Sequence, residues 1–238
     1  MKQIIIFLSF ITLSSGAFSQ SEDIYQDSLN WKKAIGEASG AAWEFVDANP
    51  DLPNVLIVGN SISIGYTPYV RENLKGIANL YRIPENGGET RKGVGKMKFW
   101  LSETEWDIIH FNFGLHDLKY VDSPEINVPV DEYQDNLIKI IDIIKTNTNA
   151  KIIFATTSYV PEGCNNPGRD SGDEIIYNAA ALSVLLDYRD ILIDPHYSLT
   201  KNYPEEQREA NVHFFESGKE RQGDQVAKLI SEVLLTIK

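Results

Sequence analysis

Ser61, His213, the Gly87-Gly88 turn and the His116-Asp117 pair are the residues whose types suit acyl transfer. A serine hydroxyl is a poor nucleophile until a neighbouring base takes its proton. Histidine titrates in the range needed to accept that proton and return it to a leaving group. The tetrahedral intermediate then needs donors aimed at its oxyanion, which backbone N–H groups at a glycine turn or a helix start supply. Ser61 follows the apolar run Val55, Leu56, Ile57, Val58 and the turn Gly59-Asn60, with helix-like spacing beyond it. That order predicts a buried strand, a tight turn and a serine at a helix N-terminus.

The elements that must bring these residues together are legible as an alternation. A leading helix is expected over about Trp31 to Asp47, in a polar N-terminal segment of residues 20–52. Strands are expected at 54–59, 77–83, 106–114, 151–157 and 191–194. Helices are expected at 63–75, 94–103, 130–146, 173–188 and 216–237. In the fourth-strand approach, Tyr133, Leu137, Ile140, Ile141 and Ile144 share one helical face. Strands alternating with helices of this length predict βαβ units. The fold class is therefore α/β, a three-layer α/β/α sandwich around a parallel five-stranded sheet of flavodoxin-like order, over residues 53–238. Residues after successive strands then meet at one sheet edge, and Ser61, Gly88, His116 and His213 all fall at such positions.

Residues 1–19 read as a secretory signal peptide. Lys2 precedes an apolar run from Ile4 to Leu13, and Ala17 and Ser19 fit small-x-small cleavage. The run is short for a membrane span. A secreted or periplasmic protein without stable membrane association is expected. The formal net charge of −12 argues against a nucleic-acid partner. Cys164 is the sole cysteine, so no internal disulfide forms, and its polar loop offers no activation. The four histidines lack His-x-His or His-x3-His spacing, so no metal is expected. His110 lies within a strand and reads as core, and His196 has no supporting pattern. The stretch from Gly88 to Lys96 lacks the Gly-Lys-Ser/Thr ending of a phosphate loop. With Arg82 and Lys98, its Arg91, Lys92 and Lys96 form a basic cluster that either is a solvated helix face or attracts an anionic substrate such as a uronic-acid glycan.

The chain resembles the SGNH (GDSL-type) hydrolases, serine esterases and lipases with four short sequence blocks in fixed order. Gly59-Asn60-Ser61-Ile62 matches the first block, Gly88 within Asn86–Thr90 the second, Gly114-Leu115-His116-Asp117 the third, and Val212-His213-Phe214 the last. The resemblance spans about residues 53–235 and is nearest to a secreted bacterial branch associated with carbohydrate esters. It implies Ser61 as nucleophile, His213 as base, and the N–H groups of Ser61 and Gly88 with the His116 side chain as oxyanion hole, with no cofactor. Asn60, Asp117 and Asn211 stand as orienting or supporting residues, and Arg91 and Lys119 as substrate contacts. The implied substrate is an O-acyl, foremost O-acetyl, ester on a glycan. The 160–172 loop is expected to border the cleft.

Three positions depart from the family pattern. Asn60 replaces an aspartate, and an amide can still cap a helix. His116 replaces an asparagine, and a neutral imidazole can donate one N–H. Ala210 stands where the family's acid lies. Asn211, Glu209, Asp194 or a backbone carbonyl must orient His213 instead. Two other readings remain open at this level: a glycan-binding relative that lost its acid, and an enzyme using the same cleft for other glycan chemistry.

Overall fold

The computed structural model describes residues 23–121, 124–164 and 168–237. The expected signal segment lies outside the described residues. Five strands, β1 (Asn54–Val58), β2 (Asn79–Arg82), β3 (Ile108–Phe111), β4 (Lys151–Ala155) and β5 (Leu192–Asp194), form one parallel sheet in the order β2-β1-β3-β4-β5. This is the expected flavodoxin-like order. Val55 to Val58 and the Ile108, Ile109 and Phe111 side chains are fully buried, as a sheet covered on both faces requires.

The helices are α1 (Ser28–Ile35), α2 (Ser61–Asn73), α3 (Thr90–Leu101), α4 (Val130–Asn147), α5 (Asp173–Leu185), α6 (His196–Asn202) and α7 (Glu216–Leu234). α2 packs against α7, α3 against α4, and α4 against α5, giving two helical layers. Tyr133, Leu137, Ile140, Ile141 and Ile144 of α4 all face the core. Among the described residues no helix is long and apolar enough to cross a membrane.

The largest departures from the pattern are three, and the first two have local reasons. The leading helix starts at Ser28 because the Asp27 carboxylate accepts the Leu29 and Asn30 N–H groups. It ends at Gly36, which adopts φ +61°, so the stretch to Asp47 holds only a 3₁₀ turn at Ala41–Trp43. α3 begins at Thr90 rather than Val94, with Gly93 inside it. A Cβ there would lie 2.6 Å from the Phe113 ring and 2.7 Å from Ile140, so this glycine marks close helix packing, not a loop. α6 had no periodic signal in its seven residues. The N-terminal segment joins the main core through Tyr25, which contacts the Trp31, Tyr81 and Trp106 rings and donates to the Trp100 carbonyl at 2.8 Å.

The order reversal lies between β1 and β3. In folds of this order, chain leaving the two strands diverges at that point, which is where ligands bind at the carboxyl ends. A groove of about 760 Å³ lies at the opposite, amino edge, lined by Asn54, Asp107 and Lys151, and contains none of the sequence-predicted site residues.

Candidate active site

Ser61 is the first residue of α2. The Asn60 side-chain oxygen accepts the Ile62 N–H at 3.0 Å, so the amide caps the helix as expected. The N–H of Ser61, in the first turn, has no acceptor within the helix. α7 packs on α2, and the loop before α7 thereby carries His213 over the serine. That loop is stapled by Gln207, whose Nε2 donates to the Tyr159 and Val212 carbonyls. His213 Nε2 lies 2.9 Å from Ser61 Oγ, across 152 positions of sequence.

Asn211 orients the imidazole. Its Oδ1 accepts the backbone N–H of His213 at 2.9 Å and faces His213 Nδ1 at 2.8 Å. A backbone N–H can only donate, which fixes that atom as the amide oxygen and makes Nδ1 the donor. Nε2 then carries the lone pair that receives the serine proton. This is the tautomer a carboxylate would select. Ala210, at φ +49°, forms the left-handed corner that turns Asn211 back under the ring, closed by Asn211 N–H to Arg208 C=O at 3.2 Å and Arg208 N–H to His213 C=O at 2.9 Å. Of the other candidates, Asp194 is wholly buried against His110 at 2.9 Å and Gln225 at 2.5 Å, and Glu209 is exposed. His110 and His196 are both core residues.

His116 projects from a turn after β3 that only glycine permits. Gly114 has φ +138°, and a Cβ there would lie 2.0 Å from Thr157 Oγ1. The Gly114 carbonyl accepts the N–H groups of Asp117 and Leu118 at 2.8 and 2.9 Å. Lys119 Nζ lies 3.4 Å from His116 Nδ1. An ammonium only donates, so Nδ1 accepts and the proton of the neutral ring sits on Nε2. Burial, with Lys119, Arg169, Lys92 and His213 following, lowers the His116 pKa to about 4, which keeps the ring neutral. Asp117 is buried and binds the start of α3, accepting the Thr90 N–H at 2.8 Å and hydroxyl at 2.5 Å. Burial raises its pKa to about 7 against those hydrogen bonds. Asp117 therefore supports the turn rather than the reaction.

Two expectations need correction. Gly88 adopts φ +67° beside the site, but its N–H donates to the Asn86 side chain at 3.0 Å and so is not free as it stands. Gly87 is equally constrained, since a Cβ would lie 2.9 Å from the Gly59 carbonyl oxygen. Arg91 is not free as it stands either: its guanidinium grips Glu132 with two bonds of 2.5 Å and the Asn127 carbonyl at 2.9 Å. Asn127 in turn binds the His116 carbonyl and the Lys119 carbonyl, so Arg91 braces the loop that carries them. The basic cluster around it also disperses. Arg82 is buried against Trp43, and Lys92 pairs with Glu85 at 2.7 Å.

A different set of cations surrounds the imidazoles. The pKa of His213 is lowered by burial of its ring and then by Arg169, Arg208 and Lys219. Arg169 had not been singled out, although it is the one basic residue of the 160–172 loop. It is 8 % exposed and donates from Nε to the Leu115 carbonyl at 2.7 Å, one residue before His116. Arg169 thus ties its loop to the turn that carries His116. Cys164 is buried there, with its thiol pKa pushed up by burial. No cluster of metal-ligating side chains occurs among the described residues.

No family model and no curated protein matches the sequence. Solved structures do match the fold. The acetyl xylan esterase AlAXEase superposes with a TM-score of 0.63 at 18 % identity, covering 74 % of this chain and 99 % of that one. A lipase/acylhydrolase from Enterococcus faecalis gives 0.63 at 21 %, covering 76 % and 96 %. Axe2, an acetylxylan esterase from Geobacillus stearothermophilus, gives 0.59 at 16 %, covering 76 % and 94 %. The strand order, the serine at the start of α2 and these superpositions agree: the chain has the fold of the SGNH hydrolases.

Proposed function

We propose that the protein is an exported serine esterase that removes O-acyl groups, acetyl foremost, from a carbohydrate. The observation that carries this is the Ser61–His213–Asn211 relay, in which a hydroxyl meets an imidazole nitrogen whose lone pair is fixed by a second, unambiguous hydrogen bond.

Ser61 Oγ attacks the ester carbonyl as His213 Nε2 takes its proton. The oxyanion is received by the Ser61 N–H and by His116 Nε2–H, which Lys119 keeps protonated by occupying Nδ1. The Gly88 N–H joins them if Asn86 releases it. His213 then returns the proton to the sugar oxygen, that alcohol leaves, and the acyl group stays on Ser61. Water, deprotonated by the same nitrogen, frees the acid. No residue of this cycle needs a cofactor. Asn211 holds the ring but cannot neutralise the imidazolium, so the charge of that state falls on the surroundings.

Carbohydrate as the acyl carrier is supported by the acetylxylan esterases among the matching structures. These include forms of Axe2 described as catalytic mutants, one with a serine and one with a histidine replaced by alanine. Export rests on the apolar N-terminal pattern alone.

The test is hydrolysis of p-nitrophenyl acetate and of a panel of acetylated oligosaccharides, read by released acetate. Turnover lost in both Ser61→Ala and His213→Ala is expected. Turnover that survives Ser61→Ala would refute the reading.

A further inference from the structure

Among the described residues Lys119 is a cation without a paired anion. It is half-buried, and its only hydrogen bond among the described residues runs to the neutral ring of His116 at 3.4 Å. Two other lysines near the site are already balanced, while Arg208 lies 6.0 Å over the Phe215 ring. Lys92 pairs with Glu85 at 2.7 Å and Lys219 with Glu216 at 3.0 Å. An ammonium has three donors, and His116 takes one, leaving two directed elsewhere. Arg169, nearly buried and bonded to the carbonyl before His116, adds a second positive charge beside it. The charges acting most strongly on both site imidazoles are all positive. In a chain of net charge −12 this is a local inversion, and it lies on the turn that carries His116.

We propose that Lys119, with Arg169 behind it, is an anion subsite that takes a carboxylate of the carbohydrate ester, as on an acetylated uronic acid. The proposal rests on the esterase reading and names its substrate class. It also answers a deficit in that reading. Asn211 supplies no negative charge to stabilise the charged His213, and the surrounding cations oppose that charge. A substrate carboxylate held at Lys119 offsets this field when the proton is on His213.

The test compares an acetylated hexuronic acid glycoside with its neutral methyl ester, and a succinyl ester of a neutral sugar with the acetyl ester of the same sugar. The wild-type protein is expected to favour the uronic acid over its methyl ester by about tenfold in kcat/KM, the scale of one charge-assisted hydrogen bond. High salt should shrink that ratio. Lys119→Met should abolish the ratio, while also slowing both reactions through His116, and Lys119→Arg should restore it. A preference for the succinyl ester over its acetyl counterpart, with none for the uronic acid, would move the carboxylate from sugar to acyl group and overturn the substrate assignment. Equal rates on acid and methyl ester, or a ratio preserved in Lys119→Met, would overturn the subsite. Calorimetric binding of unacetylated uronate and neutral oligosaccharides to Ser61→Ala separates the two readings. Uronate binding that needs Lys119, in a protein that hydrolyses no ester, would keep the subsite and reject the esterase. Equal binding of both glycans would reject the subsite whatever the hydrolysis shows.

Discussion

The molecule holds two histidine clusters, and they use opposite chemistry. In the core, His110 of β3 and His196 of α6 flank the Asp194 carboxylate, with His110 Nε2 at 2.9 Å and His196 Nδ1 at 3.8 Å. Gln225 donates to the same carboxylate, and Gln222 accepts from His196 Nε2 at 3.0 Å. His110, His196, Asp194 and Gln222 are buried and Gln225 partly so, and Nδ1 of neither ring makes a hydrogen bond. At the sheet edge, His213 has a serine on one nitrogen and only an amide on the other. The carboxylate sits where no nucleophile exists, and the nucleophile sits where no carboxylate exists. A His–Asp pair is therefore a poor marker of catalysis by itself. What distinguishes the edge cluster is an exposed hydroxyl at a helix start with its proton acceptor fixed.

Breaking the edge cluster should have the largest effect. Ser61→Ala or His213→Ala should lower kcat by about 10⁴-fold with the thermal midpoint little changed. Breaking the core cluster should do the reverse. Asp194→Ala leaves an imidazole and an amide unpaired in the core. We expect a loss of about 3–5 kcal/mol in urea unfolding, with the folded fraction still reacting normally with a serine-directed phosphonate. Loss of turnover without loss of stability would reverse the assignment of the two clusters.

A sharper contrast comes from Asn211. Asn211→Ala should cost on the order of 10²-fold in kcat by freeing the tautomer. Asn211→Asp should restore a charge to the edge. The His213 pKa, now held below its ordinary value by burial and by Arg169, Arg208 and Lys219, should rise, moving the acid limb of the kcat/KM profile to higher pH. An acid limb that does not move would mean His213 is not the base. The smallest expected effect is at Asp117. Its folded pKa is raised from 3.8 to about 7 by burial, so its contribution is complete below the lower value and fades as pH climbs through the upper one. Thermal midpoints of the wild type should fall across that window, and those of Asp117→Asn should fall less.

The same contrast explains what could be read from the chain. The elements and layers were legible because most strands are continuous apolar runs and the long helices carry one apolar face, whereas strand order is not written in such a pattern and was expected only from the fold class. Ser61, His213 and His116 were legible because each follows a strand or precedes the closing helix. The partner of His213 stayed open among four candidates, because the choice depends on a backbone corner. Ala210 takes a left-handed conformation that nothing in its identity announces, and this places Asn211 rather than Glu209 under the ring. The present partners of Gly88 and Arg91 were hidden for a related reason. Both lie at the expected edge, but their donors are taken by Asn86 and Glu132, pairings that only three-dimensional placement decides. Arg169 was passed over in a loop whose composition gave it no periodic context.

Mass spectrometry of the intact protein and its peptides after reaction with a fluorophosphonate tests the central claim most directly. The expected result is one adduct per chain, located on Ser61, absent in His213→Ala and slowed in Asn211→Ala. Stoichiometric labelling elsewhere, or labelling of Ser61 at an unchanged rate without His213, would contradict it.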